Sequence, residues 1–204
     1  MGDYDDRMPR SFFGSLNGAD KTTHTTYKWM DAIFPYVKSE QLFVCPSESA
    51  AKYTYSGNLA VGAESDDYGS YGQNGAYSAG GDNQTPPRSS HLPAPGGTLI
   101  ALSSIISPAS TIWATDINSR QGTDRSYGIL WANGAANPTI KSNADDVSIP
   151  AGNRQLEKII DRHLSTTNVL YCDGHVKAQK LESLAATTDV GGSTVMTQFT
   201  IEDD

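Results

Sequence analysis

No stretch of this chain approaches the roughly eighteen consecutive apolar residues needed to cross a bilayer, so none of it reads as a transmembrane helix. A signal-peptide pattern is also missing. Positive charge is scarce: 15 lysines and arginines stand against 23 aspartates and glutamates, a formal net charge of -8. A nucleic acid or an anionic membrane surface requires a basic footprint, so the charge balance argues against both as partners. The motifs of common enzymes are lacking too. There is no G-x-S-x-G elbow, no H-E-x-x-H, no P-loop and no G-x-G-x-x-G opening a helix. Nothing in the order of residues selects a triad from the four histidines, and a non-catalytic protein is expected.

Cysteine is limited to Cys45 and Cys172. A bridge between them would close a long loop and stabilise by roughly 4 kcal/mol. The alternative is two free or buried thiols, and spacing leaves both open. Neither has a C-x-x-C partner, which argues against a zinc site built on thiolates.

What is present suits one domain over residues 1–204, long enough to bury a core. Residues 1–20 read as an extended lead-in. Thr25-Thr26 is a possible cap for a short helix, with Tyr27, Met30, Ile33, Phe34 and Val37 at helical spacing and Pro35 expected to end it near Ile33 or Phe34 or to begin a separate turn. Gln41–Cys45 reads as a short strand stopped by Pro46-Ser47. Residues 49–97 interleave Tyr53, Tyr55, Tyr68, Tyr71 and Tyr77 with many glycines and prolines, composition that predicts a loop-rich insertion with brief strands. Thr111–Asp116 reads as a buried central strand and Tyr127–Trp131 as another, while Leu156, Ile159 and Ile160 suit either a helical turn or a strand. Val169–Cys172, the Asp173-Gly174 pair and Val176 predict a β-hairpin with a type I′ turn. Alternation in Val195–Ile201 suggests a last strand. The fold class expected is α+β, a short helix with a small antiparallel sheet and long Gly/Tyr-rich loops.

His163, nine intervening residues and Asp173-Gly174 form an H-X9-DG pattern. It resembles the carboxy-terminal signature of prepilin-like proteins, the pseudopilin-like subunits of type II secretion and type IV pilus-like assemblies. Further segments carry the resemblance in chain order. Tyr4-Asp5-Asp6-Arg7-Met8-Pro9 is similar to the segment after the family's hydrophobic helix. Pro35-Tyr36-Val37-Lys38 and Phe43-Val44-Cys45-Pro46-Ser47 resemble its Pro-Tyr-Val-Lys and Phe-x-Cys-Pro-Ser blocks. Ser70-Tyr71-Gly72-Gln73-Asn74, Pro108-Ala109-Ser110-Thr111 through Asp116, and the ending Phe199–Asp204 match in turn. Cys172 stands where a smaller residue is usual.

The resemblance implies a pilin-like fold and a non-catalytic subunit of an envelope filament or secretion assembly. Its partners would be other pilin-like subunits. It also implies an apolar amino-terminal helix before Asp3, absent from this chain, that anchors the native subunit in the inner membrane with this domain on the periplasmic or extracellular side. A glycan- or ligand-binding module using the five tyrosines named above is the alternative.

His163, Asp173 and His175 include metal-ligand types, but turn chemistry explains Asp173-Gly174. Ten residues separate His163 from Asp173, roughly 30 Å if extended. A structural role is therefore preferred to a metal site, with His163 expected to hydrogen-bond a neighbouring loop or strand. Acidic pairs Asp5-Asp6, Asp66-Asp67, Asp145-Asp146 and Asp203-Asp204, and the Asp116-x-Asn118-x-Arg120 stretch, leave calcium open, although Arg120 sits where a ligand belongs. No other cofactor is expected.

Overall fold

A computed structural model describes residues 6–10, 12–13, 27–58, 67–77, 85–89, 98–118, 128–131, 138–190 and 192–202. In chain order the elements are β1 (Phe12–Phe13), β2 (Tyr27–Lys28), α1 (Trp29–Val37), β3 (Tyr71–Tyr77), β4 (Ile112–Asp116), β5 (Gly128–Trp131), β6 (Ile140–Ser142), β7 (Arg154–Leu156), β8 (Ile159–Ile160), β9 (Thr167–Tyr171), β10 (Val176–Gln179), α2 (Leu181–Leu184), β11 (Thr187–Val190) and β12 (Ser193–Met196). The architecture is α+β and mostly antiparallel. Its centre is a five-stranded sheet in the order β10-β9-β4-β3-β5, in which only β3 and β5 run parallel.

The strand over 112–116 lies at the middle of this sheet, as its apolar run requires. Side chains alternate across β9: Thr167, Val169 and Tyr171 are buried, whereas Asn168 and Leu170 are half-buried. Val169 and Tyr171 join Ile112, Ile117, Leu156, Ile159, Leu181, Val195, Met196 and Phe199 in the main core. Trp113 packs elsewhere, against the clusters around α1 and around Met8, Ile100, Ile105 and Cys172. The sheet therefore carries apolar side chains on both faces.

Helix α1 covers part of the second face through Trp29, whose ring meets Trp113 edge-on at 5.2 Å. At its start the Lys28 amide donates to the Asp31 carboxylate at 2.8 Å. The helix runs through Pro35 and not, as the sequence suggests, to a stop before it. Pro35 lies in the last turn on the exposed side, so one i→i−4 bond is lost while Ile33, Phe34 and Val37 still pack. Lys38 then closes the helix at φ 56°, its amide donating to Phe34 O at 2.7 Å.

Gln41–Cys45 is not a strand. Glu40–Phe43 forms a 3-10 turn, because its neighbour is the turn at Gly69-Ser70 and not a strand edge. Gly69 sits at φ 69°, and a Cβ there would lie 2.1 Å from Phe43 O, so only glycine permits this approach. Within the Gly/Tyr-rich stretch, residues 71–77 form β3, a strand inside the sheet between β4 and β5. Leu156, Ile159 and Ile160 resolve as β7 and β8. The segment after Met196 is turn and bend, so the last strand ends there.

The hairpin β9–β10 is present, but its turn is not type I′. Leu170 pairs with Val176, and the Gly174 amide donates to Tyr171 O at 3.0 Å. Only Gly174 of the turn has positive φ, 95°. This is a type I turn followed by a left-handed glycine, the three-residue hairpin loop. Asp173 serves it differently: its Oδ1 accepts the His175 amide at 3.0 Å. Turn geometry with two left-handed residues occurs instead at Leu164-Ser165, φ 52° and 62°, between His163 and Thr166. The amides of His163 and Thr166 donate to one another's carbonyls at 3.0 Å. The possible cap at Thr25-Thr26, His24, His91, Asp5, Asp66, Arg120, Asp203 and Asp204 lie outside the described residues.

Candidate functional site: a cysteine, an aspartate and a histidine

Three turns or strand ends meet beside the central sheet. The first is Cys45-Pro46-Ser47-Glu48, closed by the Glu48 amide on Cys45 O at 2.9 Å. Pro46 and Ser47 are exposed, whereas Cys45 and Glu48 point inward and are buried. The second is the end of β4, Asp116-Ile117. The third is Arg162-His163, at the mouth of the Leu164-Ser165 turn.

These segments are joined twice. Glu48 pairs with Arg162 at 3.1 Å with both side chains buried, and Arg162 also donates to Ile117 O. Beside this pair, His163 Nε2 lies 3.5 Å from Cys45 Sγ and 3.5 Å from Asp116 Oδ2. The three ligand-type atoms all fall within 4.8 Å of one another. Ser70 ties two of the segments together: its hydroxyl accepts the Cys45 amide, and its carbonyl accepts the Ile117 amide, both at 2.9 Å.

Asp116 is fully buried. Its Oδ2 accepts the Asn168 amide at 2.7 Å, while Oδ1 has no hydrogen-bond partner among the described residues. Burial pushes this carboxyl above the usual range, opposed first by the Asn168 amide and then by His163 and Arg162. Burial also raises the Tyr71 phenol, with the charges of Asp116 and Cys45 adding to it.

The geometry does not describe a nucleophilic triad. A relay uses both ring nitrogens, the carboxylate on one and the nucleophile on the other. Here both partners address Nε2, and Cys45 is 2% exposed. The arrangement suits cross-linking of segments, or holding a cation.

Of the sequence's candidate residues, His163 lies against the segments of Cys45 and Asp116. The structure separates it in role from Asp173 and His175, which contact each other at 2.7 Å on the exposed turn. The His175 amide, and then its ring, hold the Asp173 carboxyl below the usual range. Cys45 and Cys172 are free thiols. Tyr53 is buried, with its hydroxyl donating to Asp31 at 2.6 Å, and Tyr55 stacks on Phe34 at 4.1 Å. Tyr68 lies against the buried Lys28 ammonium at 5.6 Å. Tyr71 is half-buried, and the side chain of Tyr77 is outside the described residues. Asn118 donates to Ser148 O and Gln155 Oε1, while Asp145 and Asp146 accept from Ser142 and Ser148.

Cys45 and Asp116 as partners of His163 were not legible from spacing, since 118 residues separate Cys45 from His163. The only signal was that each falls in a segment carrying the prepilin-like resemblance. No known family, curated protein or solved structure matches the chain in comparison.

Proposed function

We propose that this chain is the envelope-side domain of a pseudopilin-like subunit, acting by assembly and contact and not by catalysis. The observation that carries this reading is that the described residues leave part of the second face of the sheet uncovered. Two grooves, of about 280 and 360 Å³, lie on either side of the contact between α1 and the sheet and share Ile33, Trp113 and Leu170. Leu42 and Val176, 65% and 64% exposed, extend the apolar surface of the second groove. Apolar surface left open beside a packed core marks a place for another element.

The occupant that fits the resemblance is the apolar helix of a pilin-like subunit. The first groove is bordered by Asp6, Arg7, Met8 and Pro9, so a helix arriving upstream of these residues enters over this face. The net charge of -8 accords with packing against subunits and not against anionic lipid. Inner-membrane attachment would come through that helix. Convergence of Cys45, Ser70, Asp116 and His163, each from a resemblance-bearing segment, supports the same reading. The glycan-binding alternative gains nothing from Tyr53 and Tyr55, whose rings are engaged internally.

The test is fractionation of the natural gene product from its own cells. The proposal expects recovery with the inner membrane, release only by detergent, and solubility once a prepilin-type leading helix is deleted. Recovery of the whole natural product from the soluble fraction overturns it.

A further inference from the structure

We propose that Cys45, Asp116 and His163 form a three-ligand site for a borderline divalent transition metal, zinc foremost, completed by a ligand from solvent. Thiolate, imidazole and carboxylate are the donor types zinc takes.

The distances favour an ion over a set of hydrogen bonds. Bonds of about 2.3 Å to sulfur and about 2.0–2.1 Å to nitrogen and oxygen, at tetrahedral angles, place sulfur and nitrogen about 3.5 Å apart and nitrogen and oxygen about 3.3 Å apart. The two edges at His163 Nε2 both measure 3.5 Å. As a hydrogen bond, 3.5 Å to oxygen exceeds the usual range of about 2.7–3.2 Å. A neutral imidazole Nε2 offers a single in-plane position, one N–H or one lone pair, for two partners. The remaining edge lies within 4.8 Å, so closing on an ion requires only side-chain movement.

A second observation is independent of those distances. Asp116 is 0% exposed, yet its Oδ1 has no hydrogen-bond partner among the described residues. A buried carboxylate with one oxygen unpartnered is costly, and a cation held by the same carboxylate, whose Oδ2 faces His163, offsets its buried charge. Charge balances as well. Arg162 is neutralised by Glu48 at 3.1 Å, leaving two anionic ligands against a divalent ion. The ligand-bearing segments are held from outside by Ser70 and by the paired backbone of His163 and Thr166, the support such sites need. The His163 side chain is 30% exposed, which provides the entry path and the solvent ligand. Binding displaces the Cys45 thiol proton to solvent, and no electron changes hands.

The experiment uses protein stripped with a chelator, returned to chelator-free buffer, and titrated with Co²⁺ and then Zn²⁺. Expected are thiolate-to-cobalt absorption in the near ultraviolet and intense tetrahedral bands in the visible, both erased by Zn²⁺. Cys45→Ser removes the near-ultraviolet band. His163→Gln and Asp116→Asn weaken Zn²⁺ binding by more than roughly 100-fold, the upper range for loss of an outer-shell partner. Cys172→Ser changes nothing. X-ray absorption on the zinc-loaded unsubstituted protein keeps the test independent of variant folding: one sulfur with nitrogen and oxygen neighbours is expected. A zinc shell without sulfur, or cobalt bands unaltered by Cys45→Ser in a folded protein, overturns the proposal.

Discussion

The Nε2 atom of His163 stands 3.5 Å from Sγ of Cys45 across a sequence separation of 118 residues. Beside this contact, Arg162 and Glu48 make a buried ion pair at 3.1 Å. Two adjacent residues of one hairpin thus grip two inward-pointing residues of one turn. The hairpin that presents His163 holds two non-glycine residues in left-handed geometry, Leu164 and Ser165, and Leu164 is 100% exposed.

That geometry leads to a stability prediction. Left-handed backbone costs an ordinary residue roughly 1–2 kcal/mol, and Asn-Gly is the pair a type I′ turn prefers. Replacing Leu164 by Asn together with Ser165 by Gly should stabilise the fold by roughly 1 kcal/mol, because part of the gain is lost to the added freedom of glycine when unfolded. Urea unfolding measures it; a lower midpoint contradicts the turn assignment.

Asn74 should be among the least replaceable residues. It is fully buried, its Nδ2 donates to Ile112 O at 2.7 Å and Phe199 O at 2.9 Å, and its Oδ1 accepts the Ala76 amide at 2.9 Å. Asn74→Ala strands these buried backbone groups and should cost about 3 kcal/mol or more, read from the shift in denaturation midpoint. A loss below about 0.5 kcal/mol contradicts the network, since that is the scale of a neutral surface change.

The same residue shows why part of the fold was hidden in the sequence. The strand at 112–116 and the hairpin at 167–179 announce themselves through apolar runs and an Asp-Gly turn. β3 is Tyr-Gly-Gln-Asn-Gly-Ala-Tyr, poor in strand-forming residues, and it is held by backbone partners and by Asn74. Gly72 lets it close on the core, since a Cβ there would lie 2.6 Å from Ile117. Such tertiary reasons leave no periodic trace. The site was half legible: His163 stood out, but nearness in sequence suggested Asp173, whereas the packing of distant turns brings it Cys45 and Asp116. A left-handed pair at Leu164-Ser165 had no signal at all, because neither residue type favours that geometry.

The Asp173 turn should respond to acid. Its carboxyl lies below the usual range because the His175 amide and ring favour the anion. A folded-state pKa below the unfolded one contributes stability above the unfolded value, near about 3.9, and loses it as pH falls through the folded value. Melting temperatures should therefore decline more steeply with acid in the unsubstituted protein than in Asp173→Ala. Parallel curves contradict this.

Cys172 should be inert in the native protein. Burial, reinforced by the charge of Asp173, pushes its thiol up to about 12, and it packs with Met8, Ile100 and Ile105. Only thiolate reacts with iodoacetamide. In mildly alkaline buffer, mass spectrometry should find Cys172 unmodified in folded protein and modified in urea. Rapid labelling of the folded protein contradicts the burial.

The central claim is that the open apolar face of the sheet receives a pilin-like subunit. It is tested most directly by placing a photo-crosslinking amino acid at Val176 in the natural, full-length protein within its own cell envelope. The account predicts crosslinks to pilin-like subunits, mapping to their apolar helices. Membrane-associated protein that yields no such crosslink, or that links only to proteins of another class, would contradict it.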